Sequence, residues 1–216
     1  MKHISILKII TASLSLLIIN YKKIITYSIL PIILTLPLLV SMPEVIESIQ
    51  QNGIKNVVIP ANILLYGILF IYGYASININ TYRMVTGGDS FIFKLGIIPA
   101  GISIKFILLS VFIGIFNIAP IILQIPFLEP VIFILLAGVV LNLVSIATEN
   151  KATRWKLSII DRLNIALLQF IIPTLIISVF SFFGNTMVII SKFLLVYWSA
   201  ISLGLMFNQI KNSQVN

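Results

Sequence analysis

Apolar and polar positions in this chain fall into long blocks. Residues 24–42, 57–79, 106–128, 131–148, 163–182 and 193–210 contain no Asp, Glu, Lys or Arg. Each run is close to the ~20 residues that carry an α-helix across a bilayer. A charge at the centre of such a helix costs about 2.5–3.5 kcal/mol on insertion scales, so uninterrupted runs of this length point to hydrocarbon surroundings. A barrel strand would instead alternate apolar and polar residues over about 10 positions, whereas these runs are apolar on every face. A helix also satisfies every backbone group within its own segment. The pattern predicts an all-α membrane protein of six transmembrane helices, at about 24–42, 57–79, 106–128, 131–148, 163–182 and 188–210. They form a single integral membrane domain over 1–216.

The segment ahead of the first span reads differently. Lys2 and Lys8 lead into an apolar run at 9–19, which is too short to span. Asn20, Tyr21, Lys22 and Lys23 follow it, not the small residues of a signal-peptidase site. Wound as a helix, the segment sets Ser5, Lys8, Ala12 and Ser15 on one stripe. Ile6, Leu7, Ile10, Leu14, Leu17 and Ile18 lie opposite. An N-terminal interfacial amphipathic helix over 1–23 is expected, in preference to an uncleaved signal anchor.

Basic residues divide unevenly between the two sides that six spans define. Lys2, Lys8, Lys22, Lys23, Arg83, Lys94, Lys105, Lys151, Arg154, Lys156, Arg162 and Lys211 fall on the side of the N-terminus; Lys55 and Lys192 fall on the other. By the positive-inside rule both termini are expected in the cytoplasm. The spans then form three hairpins, each preceded by a basic, partly amphipathic segment: 2–23, 90–105 and 149–162. In the last of these Trp155 sits between Arg154 and Lys156, a composition suited to headgroup level. Arg154, Trp155, Lys156 and Arg162 are the candidate contacts to anionic lipid.

Composition narrows the chemistry. The chain is 59% hydrophobic and 9% charged, with a mean hydropathy of +1.14. A soluble domain carries about 25% charged residues, so a water-facing surface could not be built. The net charge of +8 is absorbed by orientation and by anionic headgroups, worth about 1 kcal/mol per cation near the surface. No nucleic-acid partner is expected. Absence of cysteine excludes disulfides and thiolate metal sites. His3 is the sole histidine, so neither a zinc His-Glu-x-x-His helix nor a Ser–His pair is available to the bundle. The stretch TGGDS at 86–90 is similar to the Gly-x-Gly-Asp of intramembrane aspartyl proteases. Yet the charge-free runs offer Asp89 no second carboxylate. A glycine turn is expected there, with Asp89 or Ser90 capping a helix over FIFKLGII. Catalytic, metal and cofactor-binding residues: none are expected.

Other features shape the helices. PIILTLP at 31–37 and PIILQIP at 120–126 look like an internal echo, but Pro31 lies 8 residues after Lys23 and Pro120 lies 15 after Lys105. Seven residues of helix is about 10 Å, so the two motifs sit at different depths. Pro31, Pro37, Pro120, Pro126 and Pro173 are expected to kink their spans. The outer connection at 41–56 suggests a separate short surface helix, with Ser41 and Glu44 as a capping box and Gly53 as a stop. Asn62, Asn117, Gln124, Asn142, Asn164, Gln169 and Thr174 supply uncharged polar groups, normally used for interhelical hydrogen bonds. Ser110–Gly114 and Ala200–Gly204 are small pairs of the close-packing kind.

The segment ILKIITASLSLLIINYKKII at 6–25, the spans after it and the Tyr82–Arg83 loop resemble uncharacterised multi-pass inner-membrane proteins of bacteria. The composition is similar to that of rickettsia-like alphaproteobacteria. That resemblance runs through hydropathy over the whole chain, and it implies residence in the cell inner membrane without assigning any residue a role. The expected function is a non-enzymatic scaffold, assembly or lipid-interacting component; the alternative is a small transporter or permease built on proline-kinked helices. Expected partners are the lipid bilayer, its anionic lipids, other membrane proteins or further copies of the chain.

Overall fold

The computed structural model describes residues 5–52, 61–87, 92–125, 128–149 and 151–215. Its helices are α1 (Ile6–Ile19), α2 (Tyr21–Asn52), α3 (Ile63–Gly87), α4 (Ala100–Ile122), α5 (Leu128–Glu149), α6 (Ile159–Ala166), α7 (Ile172–Ser181) and α8 (Asn185–Val215). A π-helical turn, Leu167–Ile171, fuses α6 and α7 into one element. Among the described residues there are six helical elements long and apolar enough to cross a membrane. Their outward faces carry large apolar side chains, with Leu64 79%, Leu108 65%, Leu135 67% and Phe182 87% exposed. Water would penalise such a surface; lipid does not. The chain is a multi-pass membrane protein.

Sequential spans pair as three hairpins: α2 with α3, α4 with α5, and α6–α7 with α8. Within each pair the first helix is peripheral and the second central. The spanning windows of α2, α4 and α6–α7 are each 22% buried, against 39%, 39% and 44% for α3, α5 and α8. The peripheral helices also carry the prolines, at 31, 37, 43, 120 and 173, whereas α3 and α8 have none and α5 has Pro130 in its first turn. A proline leaves a backbone carbonyl without its donor, and an outer position leaves room for the resulting bend. The paired motifs at 31 and 120 do occupy different depths, Pro31 in the first third of α2 and Pro120 in the last turn of α4.

Pro31 is also where packing is tightest. A Cβ on Gly73 of α3 would lie 2.5 Å from the Pro31 carbonyl oxygen and 2.8 Å from Thr35 Cγ2. Gly96 presses against the Tyr27 carbonyl, the very group whose α-helical partner Pro31 removes, and its φ of +74° suits only glycine. Next to this contact Tyr27 Oη lies 2.9 Å from Thr81 Oγ1, which ties α2 to α3 by a buried hydroxyl pair.

Helix α1 packs on α8. Ile9 and Ser13 are buried, while Ile6, Ile10 and Leu17 pack alongside the core. Leu7, Leu14, Ile18 and Ile19 stay exposed. The apolar stripe is thus divided between bundle and lipid.

Several boundaries differ from the expected ones. Charge-free runs mark the hydrocarbon core, but the helices continue into basic flanks: α3 ends at Gly87 and contains Arg83, and α4 starts at Ala100 and contains Lys105. Arg83 is accommodated because its Nε donates to the Ala147 carbonyl at 2.7 Å and its guanidinium lies 4.2 Å from the centre of the Phe93 ring. No separate surface helix begins at Ser41. Helix α2 runs through Pro37 and Pro43 to Asn52, and the Ser41 hydroxyl donates back to the Pro37 carbonyl at 2.8 Å. The FIFKLGII helix does not form either; its described part holds a single 3-10 turn, Lys94–Gly96, with Leu95 at φ 57°. Lys55, Gly53, Asp89, Ser90 and Pro126 lie outside the described residues.

Candidate functional site: a polar chamber in the bundle

Pro173 removes the donor that would hold the Gln169 carbonyl in a regular α-helix. The chain responds with the π turn, in which Ile172 N–H reaches Leu167 O, five residues back. Turns of this kind often mark functional positions. Here the wider turn turns Gln169 towards α8. Its Nε2 donates to Ser199 O at 3.1 Å and to Ser202 Oγ at 3.0 Å, and Ser199 Oγ donates to its Oε1 at 2.6 Å.

Gln169 and Ser199 form one wall of a partly open cavity of about 270 Å³. Tyr74, Asn78 and Tyr82 of α3 form the next wall, and Ser110, Gly114 and Asn117 of α4 face it. Phe133, Val140 and Leu143 of α5 supply an apolar side. Most of these residues sit near the middle of their helices, so the chamber lies at mid-height in the bundle. Hydrogen bonds are spent unevenly around it. Asn78 Nδ2 is held by the Tyr74 carbonyl at 2.9 Å. Asn117 Oδ1 is buried and has no hydrogen-bond partner among the described residues. A buried acceptor left unpaired costs about 1–3 kcal/mol, so Asn117 presents an unmet need for a donor. Ser28 Oγ, Ser76 Oγ and Asn80 Nδ2 are orphaned too, but none of them lines this cavity. Among the described residues, no charged one lines it.

The two small-residue pairs diverge in use. A Cβ at Gly204 would lie 3.0 Å from a Val85 methyl group, so that pair does serve close helix packing. At Gly114 a Cβ would meet no atom within 4 Å. Ser110 and Gly114 keep the chamber open instead of closing a helix contact. Sequence inspection noticed Asn117 and Gln169 but missed Asn78 and Ser199; an asparagine in the middle of a span was the available signal for the former, while a serine carries none.

The remaining polar residues are used structurally or face outward. Asn142 Oδ1 accepts from Thr153 N and from Trp155 Nε1, both at 2.9 Å. Asn164 is buried, and the Thr174 hydroxyl donates back to the Phe170 carbonyl. Asn62 and Gln124 are exposed outside the helices. The Asn142 contacts shape the segment between α5 and α6, which folds back along α5. Trp155 faces the protein, its indole edge-on to Phe207 at 5.2 Å. Arg162 Nη1 lies 3.3 Å from the Leu135 carbonyl. Of the four candidates for lipid contact, Arg154 and Lys156 are exposed. The structure does not gather the four into one cluster.

No protein-family model, curated protein or solved structure matches the chain, so the chamber is interpreted from its own chemistry.

Proposed function

We propose that this protein is a small permease-type component of a bacterial inner membrane, without catalytic activity, that holds a small uncharged hydrogen-bonding solute at mid-height in its bundle. One observation carries the reading: Asn117 offers an unpaired buried acceptor to a chamber otherwise walled by uncharged polar, aromatic and aliphatic side chains. At about 270 Å³ the space falls just below the ~300–1,000 Å³ of ordinary ligand pockets, which favours a small occupant. A lining without Asp, Glu, Lys or Arg among the described residues favours a neutral one, because an ion in low dielectric needs a charged or multiply coordinating partner. The basic side faces the cytoplasm in this reading, in keeping with the twelve-to-two division of cations.

The test is solute entry into proteoliposomes, followed by stopped-flow light scattering with urea, glycerol and similar neutral solutes. Gly114→Leu fills space at the chamber where a Cβ meets nothing, and it should sharply lower protein-dependent flux, because passage depends on pore diameter. Flux unaffected by Gly114→Leu, or absent for every neutral solute, would remove the proposal.

A second reading, a lipid-interacting or scaffold component, is favoured by the exposure of Arg154 and Lys156. Glutamine at both positions should weaken contact with anionic lipid; unaltered lipid preference in the reconstituted protein eliminates it.

A further inference from the structure

A second cavity, of about 380 Å³, opens at the start of the first span. Its two walls differ in chemistry. Lys22, Lys23 and Thr26 on the first turns of α2 provide one, with Tyr27 at its base; Ile92, Phe93 and Leu95 from the segment before α4 provide the other. Orientation in the membrane explains why lysines lie at this end of the helix. It does not explain why they face an apolar wall.

That wall is built, not incidental. Phe93 N–H donates to Asn80 Oδ1 at 2.9 Å, and the Arg83 guanidinium lies over the ring at 4.2 Å from its centre. Gly96 is clamped against Tyr27 and Pro31. Between these two anchors Leu95 takes the left-handed conformation, φ 57°, and stands 67% exposed. A bulky residue with positive φ is strained, and here the strain presents a leucine at the lip of a groove whose opposite side is cationic.

We infer that this groove is a binding site for one anionic phospholipid, its phosphate between Lys22 and Lys23 and the upper part of an acyl chain against Ile92, Phe93 and Leu95. Charge complementarity and the apolar wall together select a lipid. A soluble anion would use the lysines and leave the wall bare, and a zwitterionic lipid would gain less from two cations. The site is separate from the mid-height chamber and stands whether or not that chamber passes a solute.

The experiment compares the full-length protein in bilayers containing acyl-spin-labelled phosphatidylglycerol or phosphatidylcholine. Association of each lipid is read from its motionally restricted fraction. The unaltered protein should prefer phosphatidylglycerol, and Lys22→Gln with Lys23→Gln should lower that preference by about fivefold per lysine. The charge-matched pair Lys8→Gln with Lys151→Gln, two exposed lysines outside the groove, should lower it by clearly less. Leu95→Asp leaves both lysines in place and puts an aspartate, which tolerates positive φ better than leucine, at the lip; it should also abolish the preference while folding normally. Inorganic phosphate added at constant ionic strength should leave the preference intact. Equal losses from the two lysine pairs would reduce the effect to bulk charge. Retention in Leu95→Asp, or displacement by phosphate, would likewise overturn the lipid site.

Discussion

Glycine illustrates how much a single position depends on its neighbours. Gly73 and Gly67 lie six residues apart in the same helix, yet a Cβ at Gly73 would collide with the Pro31 carbonyl whereas one at Gly67 meets nothing within 4 Å. Gly73→Ala should therefore lower the thermal midpoint of the detergent-solubilised protein, at about 1–3 kcal/mol for overpacking a tight contact. Gly67→Ala should leave it unchanged or raise it, because alanine is favoured by about 1 kcal/mol inside a helix. Equal midpoints for the two variants would mean that α2 and α3 do not approach as closely as described. Similar reasoning separates the asparagines: Asn142 is saturated by Thr153 and Trp155, and Asn117 is not. Both were visible as polar residues within spans, but a side chain's satisfaction depends on residues at other places in the chain.

Among the elements, α6–α7 shows most clearly how a local rule acquires a tertiary consequence. Pro173 forces an irregularity, and the π turn converts it into the rotation that presents Gln169 to Ser199 and Ser202. Pro173→Ala restores the missing N–H. The helix can then close regularly, a change of about 100° for each residue removed from the turn, which carries Gln169 away from α8. Neutral-solute flux should fall with little change in helix content by circular dichroism; flux equal to the unaltered protein would separate the π turn from the chamber. Prolines at 31, 37 and 43 behave differently, since α2 continues through all three. A kink was foreseeable from each proline, but whether it ends a helix, bends it or widens a turn depends on what packs against the freed carbonyl.

At the scale of the whole molecule, three hairpins each place a proline-bearing helix outside a more buried one. The basic ends of α3, α5 and α8 come together: Arg83 bonds to Ala147, Glu149 pairs with Lys151 at 3.4 Å and with Lys211, and Gln214 Nε2 donates to the Lys156 carbonyl at 3.0 Å. Lys156 and Lys211 should then share a compartment, and Phe183, in the turn between α7 and α8, should face the opposite one. The chain has no native cysteine, so single cysteines at 156, 211 and 183 are directly comparable. Membrane-impermeant maleimide applied to intact cells should label only position 183. Labelling of 156 and 183 from the same side would invalidate the six-span topology.

Membrane residence, the six spans and their hairpin order were all legible in the residues, and the reason is physical. Transfer of a helix into hydrocarbon is a sum over its own side chains, so blocks such as 131–148 declare themselves without reference to the rest of the chain. Only the folded bundle decided that α3, α5 and α8 lie inside and that Gly114 borders empty space while Gly204 does not. It alone brought Lys22 opposite Phe93, and Asn117 into one chamber with Gln169. These outcomes depend on packing and hydrogen bonding between residues tens of positions apart, and in lipid, where neighbouring helices and acyl chains are equally apolar, hydrophobicity does not choose among the arrangements.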